Sequence, residues 1–173
     1  MRRCIAIFFM ALSMSLSAAE SEYDVKATYL FNFTQLVSWP SSAFTSPQSP
    51  LVIGVVGRDP FGGGLGAAMR GQKAAGGRSI EVRAVSASDS EALQNCHIVF
   101  VSSSLRAADI ARAVQGHPVL IVGESDGFAS EGGIIGFVLN RDKKVKLEIN
   151  NDAARRAQVK INSGLLGLAK IVN

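Results

Sequence analysis

Cysteine is almost missing from this chain of 173 residues: Cys4 and Cys96 are its only two. Cys4 lies in the opening stretch "MRRCIAIFFMALSMSLSAAE". Two arginines, an apolar run from Cys4 to about Leu16 and the small residues Ser17-Ala18-Ala19 spell an export signal, with predicted cleavage after Ala19. The apolar run is too short for a comfortable membrane span, although an uncleaved anchor is the alternative. Cys4 is also misplaced for a lipoprotein cysteine, which would directly follow the cut. Cleavage leaves residues 20–173 as one domain and only Cys96 within it. An intramolecular disulfide is thereby excluded, and Cys96 is either a small buried residue or an intermolecular bridge.

Histidine is equally scarce. His97 and His117, twenty residues apart, and one cysteine offer no metal-ligand spacing. Charge is sparse too, at 18% of residues against the usual quarter, which excludes a disordered, highly solvated chain. Loss of the leader removes Arg2 and Arg3, so the formal charge of +4 falls to +2. No basic run exceeds Lys143-Lys144, and no nucleic-acid footprint is present.

What is present is periodicity. Residues 22–38 place Tyr23, Val25, Tyr29, Leu30, Phe33, Leu36 and Val37 on one arc at helical spacing. Lys26 falls inside that arc, so it should snorkel or find a carboxylate. Trp39-Pro40 ends the helix. Strands are predicted at 51–57, 79–85, 97–102, 118–123, 133–140 and 144–150, the last two joined through Arg141-Asp142-Lys143 as a hairpin. Helices are predicted at 61–69 (weakened by glycine), after a Ser88/Glu91 capping box, at 105–114, after Asn150 or Asn151, and after Asn162 or Ser163 as far as Val172. Alternating strands and helices followed by a terminal hairpin predict a single α/β layered domain. Its central sheet should be mainly parallel, or mixed, and flanked by helices.

Two motifs tempt toward chemistry. Gly123-Glu124-Ser125-Asp126-Gly127 fits G-x-S-x-G, the nucleophile elbow of serine hydrolases. The helix that should follow is stopped at Gly132-Gly133; His117 begins the strand whose far end carries the motif, and His97 begins its own, parallel strand at the same distant end. The elbow therefore lacks a base, and a polar turn at a strand's end is the better reading. "GRDPFGGGLG" lacks the lysine and serine or threonine of a phosphate loop. Asp59 and Pro60 read as N-cap and first helical residue. The strand edge near Arg58, Asp59 and Gly123 is a candidate ligand site. Asp89, Glu91, Glu124 and Asp126 read as caps and turn residues. No catalytic residue, metal or cofactor is assigned, and no enzyme is expected.

The blocks "VKATYLFNFTQLVSWP", "IGVVGRDPFG", "CHIVFVS", "VGESDGFASEGGIIGFVL" and "VKLEINNDAARRAQVKINSGLLGLAKIV", taken in order, resemble the YfiR-like periplasmic proteins. The resemblance implies an exported α/β repressor that forms a homodimer. Such a protein would hold inactive the periplasmic sensor part of an inner-membrane diguanylate cyclase and be sequestered in turn by an outer-membrane lipoprotein. Cyclic-di-GMP and biofilm would be the outputs. Related proteins serving other membrane sensors, such as histidine kinases, and a small-molecule or nucleotide-binding role are the alternatives. Disulfides that the resemblance implies have no counterpart here. Phe128 in the 124–131 loop is either a plug under that loop or an anchor offered to a partner; Glu124, Asp126 and Phe31 are the other candidate partner contacts.

Overall fold

The structure is a computed structural model and describes residues 21–173. The predicted export signal and cut lie outside the described residues. The described chain forms one layered α/β domain. In order it runs α1 (Glu22–Leu36), β1 (Val37–Ser38), β2 (Leu51–Val56), α2 (Gly64–Met69), β3 (Ile80–Val85), α3 (Ser90–Gln94) and β4 (Ile98–Val101). It continues through α4 (Ala107–Ala113), β5 (Leu120–Gly123), β6 (Ile135–Leu139), β7 (Val145–Asn150), α5 (Asn151–Arg156), β8 (Lys160–Ile161), α6 (Ser163–Gly167) and β9 (Lys170–Val172).

Seven strands form one sheet in the order β3-β2-β4-β5-β6-β7-β9. The first five are mutually parallel; β7 runs antiparallel to β6, and β9 lies parallel to β7. Parallel strands covered on both faces need apolar side chains on both. That accounts for the unbroken runs in β2, β4 and β5. Alternate residues of these strands feed two cores. Ile53, Phe100, Leu120 and Val122 pack under α1 and α2 with Leu30 and Phe33. Val52, Val56, Val99, Val101 and Ile121 pack under α3 and α4 with Leu93 and Ile110.

Local chemistry sets most element ends. Ser21 and Asp24 form a reciprocal capping box at the start of α1. Asn150 Oδ1 accepts from the Ala153 amide at 2.8 Å and starts α5. Asn140 Oδ1 accepts from Asp142 and Lys144 amides in the β6–β7 turn, where Lys143 takes φ 57°.

Four sequence expectations need correction. Helix α1 stops at Leu36, because Val37 and Ser38 pair with Ile161 and Lys160 in a separate two-stranded ribbon. Asp89, not Ser88, caps α3, its side chain accepting from the Ala92 amide; Glu91 closes no box. Asp59 accepts from the Phe61 and Gly63 amides, but this stabilises a turn, and α2 begins only at Gly64. The last helix ends at Gly167, and Lys170–Val172 extend the sheet instead.

Candidate functional site

In the strand order β3-β2-β4-β5-β6 the chain winds from β2 to β3 on one side and from β4 to β6 on the other, so the winding reverses between the adjacent strands β2 and β4. In open α/β sheets the crevice beyond the carboxyl ends of strands at such a point is where ligands bind. Two loops stand there, residues 57–63 after β2 and 102–106 after β4, with the 124–133 loop following β5. The N-terminal half of α1 lies over the same edge.

Lys26 joins these pieces. It is only 3% exposed. Its ammonium donates to Glu124 at 2.6 Å, across 98 residues of sequence, and also to Glu22 one turn earlier on α1. It lies 4.6 Å from the centre of the Tyr23 ring. Burial alone would lower its pKa, but hydrogen bonds and attraction from Glu124 and Glu22 outweigh this and raise it. Burial, with Glu124 next, also pushes the Tyr23 phenol above its usual value. The result is a closed set of one cation and two carboxylates that clamps α1 to the 124–133 loop.

The same loop is held twice more. Phe128 is 1% exposed. Its ring lies so close to Gly123 and Gly133 that a Cβ on either would fall 2.2 Å from ring carbons. Only glycine lets the backbone approach the ring that closely. Asn150 Nδ2 donates to the Ala129 carbonyl at 3.1 Å.

Beside the clamp lies a cavity of about 290 Å³ lined by Tyr23, Lys26, Ser103, Glu124, Asp126 and Leu139 among others. On the other side of Tyr23 a cleft of about 450 Å³ runs between α1 and the 60–72 segment. Phe31, Tyr23 and Phe61 give it aromatic walls, and Asp24 its one carboxylate.

The candidate residues are thus dispersed. Glu124 is inside the clamp rather than exposed to a partner, and Asp126 is exposed beside it. Phe31 is half-buried in the cleft wall. Phe128 is the plug of its loop, not an exposed anchor, because the two glycines admit its ring to the core. Gly123 offers no space to a ligand, since that ring occupies it; Arg58 and Asp59 are exposed, and Asp59 is spent on its own turn. Sequence reasoning missed Lys26 as the centre of the site, although its place in an apolar arc was the signal.

Ser125 follows the carboxyl end of β5, while His97 and His117 precede β4 and β5, which run parallel. The histidines therefore sit at the opposite edge of the sheet. The segment after Ser125 is a turn in which the Phe128 amide donates to the Ser125 carbonyl at 3.1 Å. Among the described residues no group of three or more histidine, cysteine or acidic side chains could hold a metal, and no helix is long and apolar enough to cross a membrane.

These features define an open, doubly wound α/β domain whose carboxyl edge is braced by an ion cluster centred on the buried Lys26. The chain belongs to the YfiR/HmsC-like family, whose model matches residues 23–170. Among solved structures it is similar to a conserved domain protein from Vibrio cholerae O1 biovar El Tor, with 13% identity and TM-score 0.53, over 71% of this chain and 55% of that one. It is also similar to an ABC domain from Streptococcus pneumoniae solved with L-Trp, with 14% identity and TM-score 0.48, over 76% and 57%. The chain spans a little over half the length of these structures, and at such identities the likeness is of fold alone.

Proposed function

We propose that this protein is an exported regulator that binds the periplasmic sensor domain of an inner-membrane diguanylate cyclase and holds the enzyme inactive. Family membership over nearly all the described residues carries this reading. The geometry supports it by supplying a rigid face: the clamp fixes α1 against the 124–133 loop, so Asp126 and the 48% exposed Leu139 are presented without an ordering cost. An outer-membrane lipoprotein that binds the same face would compete with the cyclase and release it. Deleting the gene should raise cellular cyclic-di-GMP and biofilm, and restoring it should reverse both. Unchanged cyclic-di-GMP would count against the reading.

A ligand-binding role is favoured by one observation, the aromatic-walled cleft between α1 and the 60–72 segment. Its volume suits a small molecule. A ligand there would tune partner affinity by preferring one conformation of α1.

A further inference from the structure

Asp24 is the one charged residue on the cleft of about 450 Å³ between α1 and the 60–72 segment. Tyr23, Ala27 and Phe31 follow one another at four-residue spacing along α1, so they share the face that forms one wall. Phe61, Gly64 and Ala68 stand on the other. Small residues keep the space open: a Cβ on Gly64 would meet no atom within 4 Å. Phe31 and Phe61 are only half-buried, so their rings border the cleft. Lys26 already lies over the Tyr23 ring, whereas among the described residues no cation lies over Phe31 or Phe61. The nearby hydroxyls are spent. Ser21 donates to Asp24 Oδ2 at 2.6 Å, and Thr28 to the Asp24 carbonyl at 3.0 Å. The Ser21 amide also ends on Oδ2, at 3.1 Å, so Asp24 Oδ1 has no donor among the described residues. The bonds from Ser21 hold the Asp24 carboxyl below its usual pKa and therefore ionised.

We propose that this cleft binds a quaternary ammonium compound, whose methylated head lies against the Phe61 ring and the Asp24 carboxylate while the rest of the molecule runs along Ala27 toward Phe31. The proposal rests on the ligand-binding reading of the cleft and names the class of ligand. An aromatic ring attracts a cation to its face through its quadrupole, and quaternary ammonium groups are the ligands that such walls recognise. A primary ammonium brings three N–H donors and would find one free carboxylate oxygen for them. A trimethylammonium group needs no acceptor. An anion would find no lysine or arginine on the walls. The volume falls within the range of small-ligand sites. The cleft includes neither Asp126 nor Leu139, so this proposal and the cyclase-binding one fail independently.

Calorimetric titration of the purified protein tests the proposal with three probes: choline, its neutral carbon isostere (a tert-butyl group in place of trimethylammonium) and tert-butylacetate. Choline should bind saturably, with a Kd of about a millimolar or tighter. The neutral isostere should bind at least tenfold more weakly, and tert-butylacetate more weakly still. Phe61→Leu keeps an apolar wall but removes the ring face, and should weaken choline about fivefold. Asp24→Asn should weaken it at least threefold. Both variants should melt near the parent; if Phe61→Leu fails to fold, Asp24→Asn, at an exposed position, still decides. Equal binding of the neutral isostere would overturn the cationic assignment and leave a ligand cleft standing. Binding of none of the three would overturn the proposal and the ligand-binding reading with it. Choline affinity unchanged in the folded variants would overturn its placement in this cleft.

Discussion

Acid should loosen the amino edge of the sheet through His97. This side chain is buried just before β4. Nδ1 accepts from the Val52 amide at 3.0 Å, and Nε2 lies 3.0 Å from the Ala43 carbonyl, so Nε2 carries the proton and donates. The ring stacks on Phe44 at 4.3 Å, and the His97 carbonyl accepts from the Trp39 indole at 3.1 Å. One imidazole thus pins the 39–50 segment to the sheet. Burial lowers its pKa from 6.5 to about 4; Arg78 and Arg83 push the same way, and the Ala43 carbonyl opposes them. Between those values the unfolded chain binds the extra proton and the folded one does not. Stability is therefore full above about pH 6.5 and is lost as pH falls toward 4. At about 1.4 kcal/mol per pH unit the loss approaches roughly 3 kcal/mol, or about 10 °C in Tm for a domain of this size. Carboxylates titrate in the lower part of this window, so the comparison needs His97→Gln, which cannot titrate. Melting curves from about pH 7 to about pH 4.5 should fall more steeply for the wild type than for the variant. Parallel curves would show that protonation of His97 does not drive the loss.

Three further outcomes follow from the site. Lys26→Ala leaves Glu124 buried and unpaired and should cost about 3 kcal/mol of stability; in K26M/E124Q, where the charges leave together, the loss should be smaller than the sum of the single variants in a denaturant cycle. Phe128→Ala empties the space between Gly123 and Gly133 and should also cost about 3 kcal/mol, read as a Tm lower by about 10 °C, whereas an unchanged Tm would contradict its role as a plug. Ser125→Ala should change neither stability nor any hydrolysis of a nitrophenyl ester; activity present in the wild type and lost in the variant would reinstate the elbow.

Much of this fold was legible in sequence because its central strands are buried on both faces. The runs at 51–57, 97–102 and 118–123 have no polar face to confuse the reading, and the hairpin announced itself through Arg141-Asp142-Lys143. The chain's short strands were not legible. Val37–Ser38 looked like the end of α1, and Lys170–Val172 like the end of α6, because two or three residues carry no periodicity of their own. Tertiary pairing with Ile161 and with β7 decided them. For Lys26 the sequence showed a charge in an apolar arc, which left snorkelling and pairing with a carboxylate both open. It did not show which carboxylate, since Glu124 lies 98 residues away. For Phe128, the flanking glycines in "GESDGFASEGG" were compatible with both a flexible loop and a tight ring slot, and only the packing separates them.

The proposed function makes the face braced by Lys26, Glu22 and Glu124 the binding surface for a cyclase sensor domain. Calorimetric titration of the purified protein against that purified domain is the decisive measurement. Saturable binding is expected, weakened at least tenfold by Leu139→Asp or Asp126→Lys, with both variants melting like the parent, since these side chains are exposed. No binding by the wild type, or binding untouched by both substitutions, would contradict it.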